Sequence, residues 1–96
     1  MVRHVVMFRF SADFGEDRLQ EWLDRVQRLP EQISTIRSHS AGLDVTEGPR
    51  SWDAVVVSEF DSMDDVADYP SHPAHKPLIA LCDAYTLQIA TVDFMA

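Results

Sequence analysis

Tyr69, His72 and His75 fall in one short segment, Tyr69-Pro70-Ser71-His72-Pro73-Ala74-His75. It sets a phenol and two imidazoles side by side. Pro73 suits the first position of a helix, since its missing N–H is not needed there. A helix start carries partial positive charge and unpaired N–H groups. That setting favours a neutral imidazole, which can act as a base near pH 7. A plainer use of the same residues is structural, with His72 capping the helix and His75 on the surface.

A second pair depends on the fold. His4 lies near the start of the chain and Asp93 near its end. Val2 to Phe10 reads as a strand, rich in Val and Phe. Asp13 and Glu16 have the spacing of a capping box. After them Leu19, Trp22, Leu23, Val26 and Leu29 form one helical apolar stripe, which Pro30 ends at Leu29. Ile36 to Val45 is a weak, polar edge strand, and Thr46 to Ser51 a turn. Asp53 to Phe60 alternates as a strong strand. Ser62 and Asp65 cap a short helix to about Asp68. A further helix runs from Pro73 to about Tyr85, with Pro77 bending or weakening its first turn. Thr86 to Met95 is the last strand.

The order β-α-β-β-α-β predicts a ferredoxin-like α+β fold with a four-stranded antiparallel sheet of order 4-1-3-2. The first and last strands are then neighbours, and His4 approaches Asp93. A carboxylate beside an imidazole fixes its tautomer and raises its basicity. Two helices cover one face of such a sheet. Val5, Met7, Val55, Val57, Ala90 and Val92 would occupy the other. So large an apolar patch calls for cover, and a second copy about a two-fold axis supplies it. The expectation is a homodimer joined through the open sheet face as an α/β barrel.

Composition narrows the partners. The chain has 96 residues, enough for a single domain over 1–96, and 46% of them are apolar. Its formal charge of −8 disfavours nucleic acid and anionic membranes, which need clustered Lys and Arg. One cysteine permits neither an internal disulfide nor a Cys/His zinc set. Three scattered glycines form no phosphate-cradling loop. Asp64, Asp65 and Asp68 read as helix solvation and dipole partners, so no metal site is assigned. The N-terminal apolar runs are too short for a signal peptide or membrane span. The chain therefore reads as soluble and cytoplasmic. Cys82 reads as a buried, inert thiol, His39 as exposed on the edge strand, and Trp52 as lying at a pocket mouth or dimer rim.

Arg3-His4-Val5-Val6-Met7-Phe8-Arg9-Phe10, His72-Pro73-Ala74-His75 and Val92-Asp93-Phe94 together resemble the Dabb family, the stress-responsive dimeric α/β-barrel domain. The resemblance spans almost the whole chain. It implies a dimeric ferredoxin-like barrel. Many members are stress-associated dimers, and a few are cofactor-free polyketide cyclases acting by aldol-type condensation. By that resemblance His75 and Tyr69 would be the acid/base pair, with His4 and Asp93 beside them. The chain departs from the cyclase pattern at Pro70-Ser71, at Pro77 and at Ala54, where the plant cyclases have another His.

The pocket implied by this arrangement lies between sheet and helices. Its walls would be Val6, Phe8, Trp22, Val26, Val56, Phe60, Leu78 and Leu81, with Ser58 and His72 as further polar points. An apolar cavity with a few converging polar groups is the usual form of a small-molecule site. A histidine base and a phenol donor suit removal of an acidic C–H proton and stabilisation of the enolate, with no metal or organic cofactor. The expected function is binding, and cyclase- or lyase-type conversion, of an apolar carbonyl-bearing small molecule. Two alternatives stay open: a non-catalytic dimeric stress protein, and a haem-binding, monooxygenase-like barrel with His75 as axial ligand.

Overall fold

A computed structural model describes all residues, Met1–Ala96. Four strands, β1 (Val2–Phe10), β2 (Ser38–Leu43), β3 (Ala54–Phe60) and β4 (Thr86–Met95), form one sheet. Its order is β2-β3-β1-β4, with every neighbouring pair antiparallel. Helices α1 (Glu16–Gln27), α2 (Met63–Asp68) and α3 (Lys76–Cys82) accompany it. This is the expected ferredoxin-like α+β arrangement.

Alternation on β3 sets the layers. Ala54, Val56, Ser58 and Phe60 are buried, while Val55, Val57 and Glu59 between them are half-buried. The buried set faces the helices, because successive strand side chains point to opposite faces. Trp22, Leu23 and Val26 of α1 and Leu29 just beyond it pack onto that face. So do Val66 of α2 and Leu78 and Cys82 of α3. The opposite face presents Val5, Met7, Val55, Val57 and Ala90, with Val92 59% exposed. None of the ten residues of β4 is buried. No helix is long and apolar enough to cross a membrane.

Four local expectations differ from the structure. The Asp13–Glu16 capping box does not form. Ser11 instead caps a short 3-10 turn, Ala12–Phe14, by accepting from the Asp13 N–H. Gly15, at φ 78°, then turns the chain into α1, a conformation that glycine adopts without steric cost. The helix stops at Gln27, and Pro30 lies in a following 3-10 turn, Leu29–Glu31. β2 is shorter than Ile36–Val45 but is the edge strand expected. The largest difference is at the prolines. Pro73 does not start a helix; α3 begins at Lys76 and Pro77 sits in its first turn. The N–H that proline lacks is unbonded there in any helix, so Pro77 costs the helix no hydrogen bond.

Candidate functional site

Strand register lines up four polar residues. His39 of β2 pairs with Ser58 of β3, Ser58 with His4 of β1, and His4 with Asp93 of β4. They form one row across the sheet on its helix-facing side. At one end of the row His4 Nδ1 hydrogen-bonds the Asp93 carboxylate. A carboxylate can only accept, so His4 Nδ1 carries the proton and Nε2 is the free ring nitrogen. At the other end His39 Nδ1 lies 2.7 Å from Ser58 Oγ, and His39 Nε2 lies 2.8 Å from the Val26 carbonyl oxygen.

Tyr69 lies over the row, in the 3-10 turn Tyr69–Ser71 that follows α2. Its ring meets Phe60 at 5.2 Å and His4 at 6.0 Å between centroids. His75 at the N-cap of α3 packs edge-on against Tyr69, at 4.6 Å and 70°. His75 Nδ1 is buried and has no hydrogen-bond partner. Burial, reinforced by the charges of His4 and His72, lowers the His75 pKa and holds the ring neutral at pH 7. Burial pushes the Tyr69 phenol up to about 12, with Ser58 opposing that shift. A neutral base and a protonated phenol therefore stand in contact.

These rings edge a cavity of about 300 Å³. His4, Tyr69 and His75 line it together with Val6, Phe8, Trp22, Val26, Val56 and Leu78. Four residues expected on the wall are not there. Ser58 and Phe60, both 0% exposed, are sealed into the core behind it. Leu81 packs against the core elsewhere. His72 turns its Nδ1 onto the Ala74 N–H at 3.0 Å and caps the turn before α3. Asp93 is also off the wall and reaches the cavity only through His4.

Other lining residues were not expected: Leu29, Pro70, Ile79, Cys82, Asp83, Thr86, Ile89 and Thr91. The β4 members could have been found, because Ile89 and Thr91 share the face of Asp93. His39 is a correction: it is half-buried and doubly hydrogen-bonded, not exposed. Its register with the inward-facing Ser58 was the missing signal. Cys82 is buried at the cavity, and burial raises its pKa, which keeps the thiol protonated. Trp52 stacks under the Arg9 guanidinium at 4.6 Å, away from this cavity. No group of three or more His, Cys, Asp or Glu side chains is placed to hold a metal ion.

The two buried imidazoles make stability depend on pH. His75 and His39 both have pKa values lowered by burial. The unfolded chain therefore takes up their protons more readily than the folded one. This contribution is complete above the unfolded histidine range of about 6.5 and is lost as pH falls through it. Urea denaturation at pH 7.5 and 5.5 should show the lower midpoint at pH 5.5. A higher midpoint at pH 5.5 would contradict the burial of these rings.

The chain as a whole is similar to known proteins. The profile of the Stress responsive A/B Barrel Domain, Dabb, matches residues 2–96. The chain belongs to the Dabb family. This Dabb chain is 29% identical over 97 residues to an uncharacterized protein of Streptomyces coelicolor, covering 98% of this chain and 100% of that one. A Bacteroides fragilis crystal structure, described as a dimeric protein of unknown function with a ferredoxin-like fold, is similar at TM-score 0.88. It is 29% identical, over 99% of this chain and 95% of that one. A hydroxynitrile lyase from Passiflora edulis shares the fold at TM-score 0.82. Its identity is 17%, over 99% of this Dabb chain and 92% of the lyase.

Proposed function

We propose that this Dabb protein is a homodimer that binds an apolar, carbonyl-bearing small molecule between sheet and helices and moves a proton on it without a cofactor. The observation that carries the reading is His75. Its Nδ1 is a buried polar atom with no partner in the chain, at the edge of a mostly apolar cavity. Leaving such an atom unpaired costs about 1–3 kcal/mol, and the ring that carries it lines the cavity. The volume of about 300 Å³ lies at the lower end for small-molecule sites, room for one ring and a carbonyl group.

The chemistry follows from the protonation states. Neutral His75 can take the acidic proton from carbon next to a carbonyl. Charge then develops on the carbonyl oxygen, and polar groups near it stabilise that charge. Tyr69 and the His4–Asp93 pair surround the same space. Asp93 fixes the His4 tautomer through its hydrogen bond to Nδ1. The hydroxynitrile lyase neighbour supports the reading only as an instance of lyase chemistry on this backbone. The dimer is supported by the uncovered apolar face of the sheet and by the dimeric Bacteroides fragilis relative.

Proton exchange provides the test. In deuterated buffer the protein should speed deuterium uptake at the methyl group of acetophenone, followed by proton NMR. Uptake no faster than with an equal concentration of free imidazole would overturn the catalytic reading.

A further inference from the structure

We infer that Asp83, at the mouth of the cavity, sets which ligands the site accepts: carbonyl compounds that are uncharged or cationic at their solvent end, and not those carrying a carboxylate or phosphate there. The inference rests on the ligand site proposed above and specifies its substrate class.

Exposure of the lining residues shows which way the cavity opens. Trp22, Val56, Leu78 and Cys82 on its walls are buried. Ile79 of α3 and Ile89 of β4 line it too, yet are 41% and 55% exposed, so the mouth lies between them. Asp83 is exposed on the same rim. It follows Ile79 by about one helical turn, as the residue that closes α3. His75 stands at the other end of that helix, as its N-cap. The two are therefore about 12 Å apart along the axis, at about 1.5 Å per residue. One substituted ring bridges that span. With its carbonyl at His75, its far substituent comes to Asp83.

The mouth holds one fixed charge, and it is negative. A carboxylate in water is ionised at pH 7, and Asp83 forms no ion pair in the chain. No Lys or Arg lines the cavity. Arg18 is engaged by the Tyr85 hydroxyl and ring, and Lys76 begins the far end of α3. Deeper in, His75 is neutral, its pKa lowered by burial. His4 and Asp93 together supply no net positive charge, because the carboxylate cancels even an imidazolium. An anionic ligand thus meets nothing that offsets the loss of its hydration, a large cost for a carboxylate. The formal charge of −8 over the chain acts in the same sense at longer range. An ammonium on the same carbon frame meets Asp83 while its carbonyl stays inside.

Two matched probes read the sign of the mouth. 4-(Aminomethyl)acetophenone carries an ammonium and 4-acetylbenzoate a carboxylate, each opposite the same carbonyl. By calorimetric titration at low salt the parent protein should bind the ammonium probe more tightly. Asp83→Asn keeps the size of the side chain and removes its charge. It should lower the ratio of the two affinities by about fivefold, since an exposed charge attracts one probe and repels the other by a few-fold each. Raising salt from about 0.1 M to about 1 M shortens the screening length from about 10 Å to about 3 Å. That should shrink the ratio in the parent and leave it unchanged in Asp83→Asn, a response that a steric role for Asp83 would not give. With acetophenone still bound, the inference is overturned by equal affinity of the parent for both charged probes. It is equally overturned by failure of the ammonium probe to bind, or by the parent ratio persisting in Asp83→Asn. No binding of acetophenone to the parent overturns the site and the inference together.

Discussion

Replacing His75 with alanine is expected to slow deuterium uptake at the acetophenone methyl group by about 10²–10⁴-fold, the range for a positioned acid or base. The same substitution should leave the melting temperature unchanged or raised. His75 brings its Nδ1 into a buried position without a partner, so its removal ends a cost rather than a bond. It also loses ring contact with Tyr69, which limits any gain. A structural histidine would behave in the opposite way: its loss would lower the melting temperature and leave exchange untouched. The two readouts together separate a base from a packing residue.

Val57→Glu should split the dimer. Val57 lies on the uncovered sheet face, paired with Val5 across β1 and Ser40 across β2. In the proposed barrel that face packs against its copy. Two new carboxylates would be stripped of water near the two-fold axis, at a cost of several kcal/mol each. An interface of standard size, about 1,600 Å², does not survive such a change at its centre. Light scattering at micromolar concentration should fall from twice the chain mass to 10.9 kDa. Val45→Glu is the control, since Val45 is 95% exposed and outside the sheet. A parent protein already at one chain mass would remove the dimer from the account.

The frame of this site was legible because strand periodicity and topology are strong signals. Alternation along β3 and the order of elements place His4 beside Asp93 with no further information, and the register pairs them. The Tyr69–His75 approach was legible only as closeness in sequence. Its geometry depends on a 3-10 turn and a delayed helix start, which two prolines with overlapping preferences do not distinguish. Pro73 and Pro77 both satisfy the rule for a first helical turn, and the chain uses the second. The burial of His39 has another cause. Edge strands are commonly exposed, but α1 packs against β2 closely enough for the Val26 carbonyl to reach the ring. That contact is tertiary and leaves no periodic trace. Alternation puts Ser58 and Phe60 on the correct face but not at their depth, because it reports direction and not distance from a cavity.

In the proposed function the space between sheet and helices receives a small carbonyl compound. Amide NMR of the labelled chain during titration with acetophenone tests it most directly. Shifts should be confined to residues around the cavity, with His4, Tyr69, His75, Leu78 and Thr91 among the largest. Shifts confined to the open sheet face around Val57, or none at saturating probe, would contradict it.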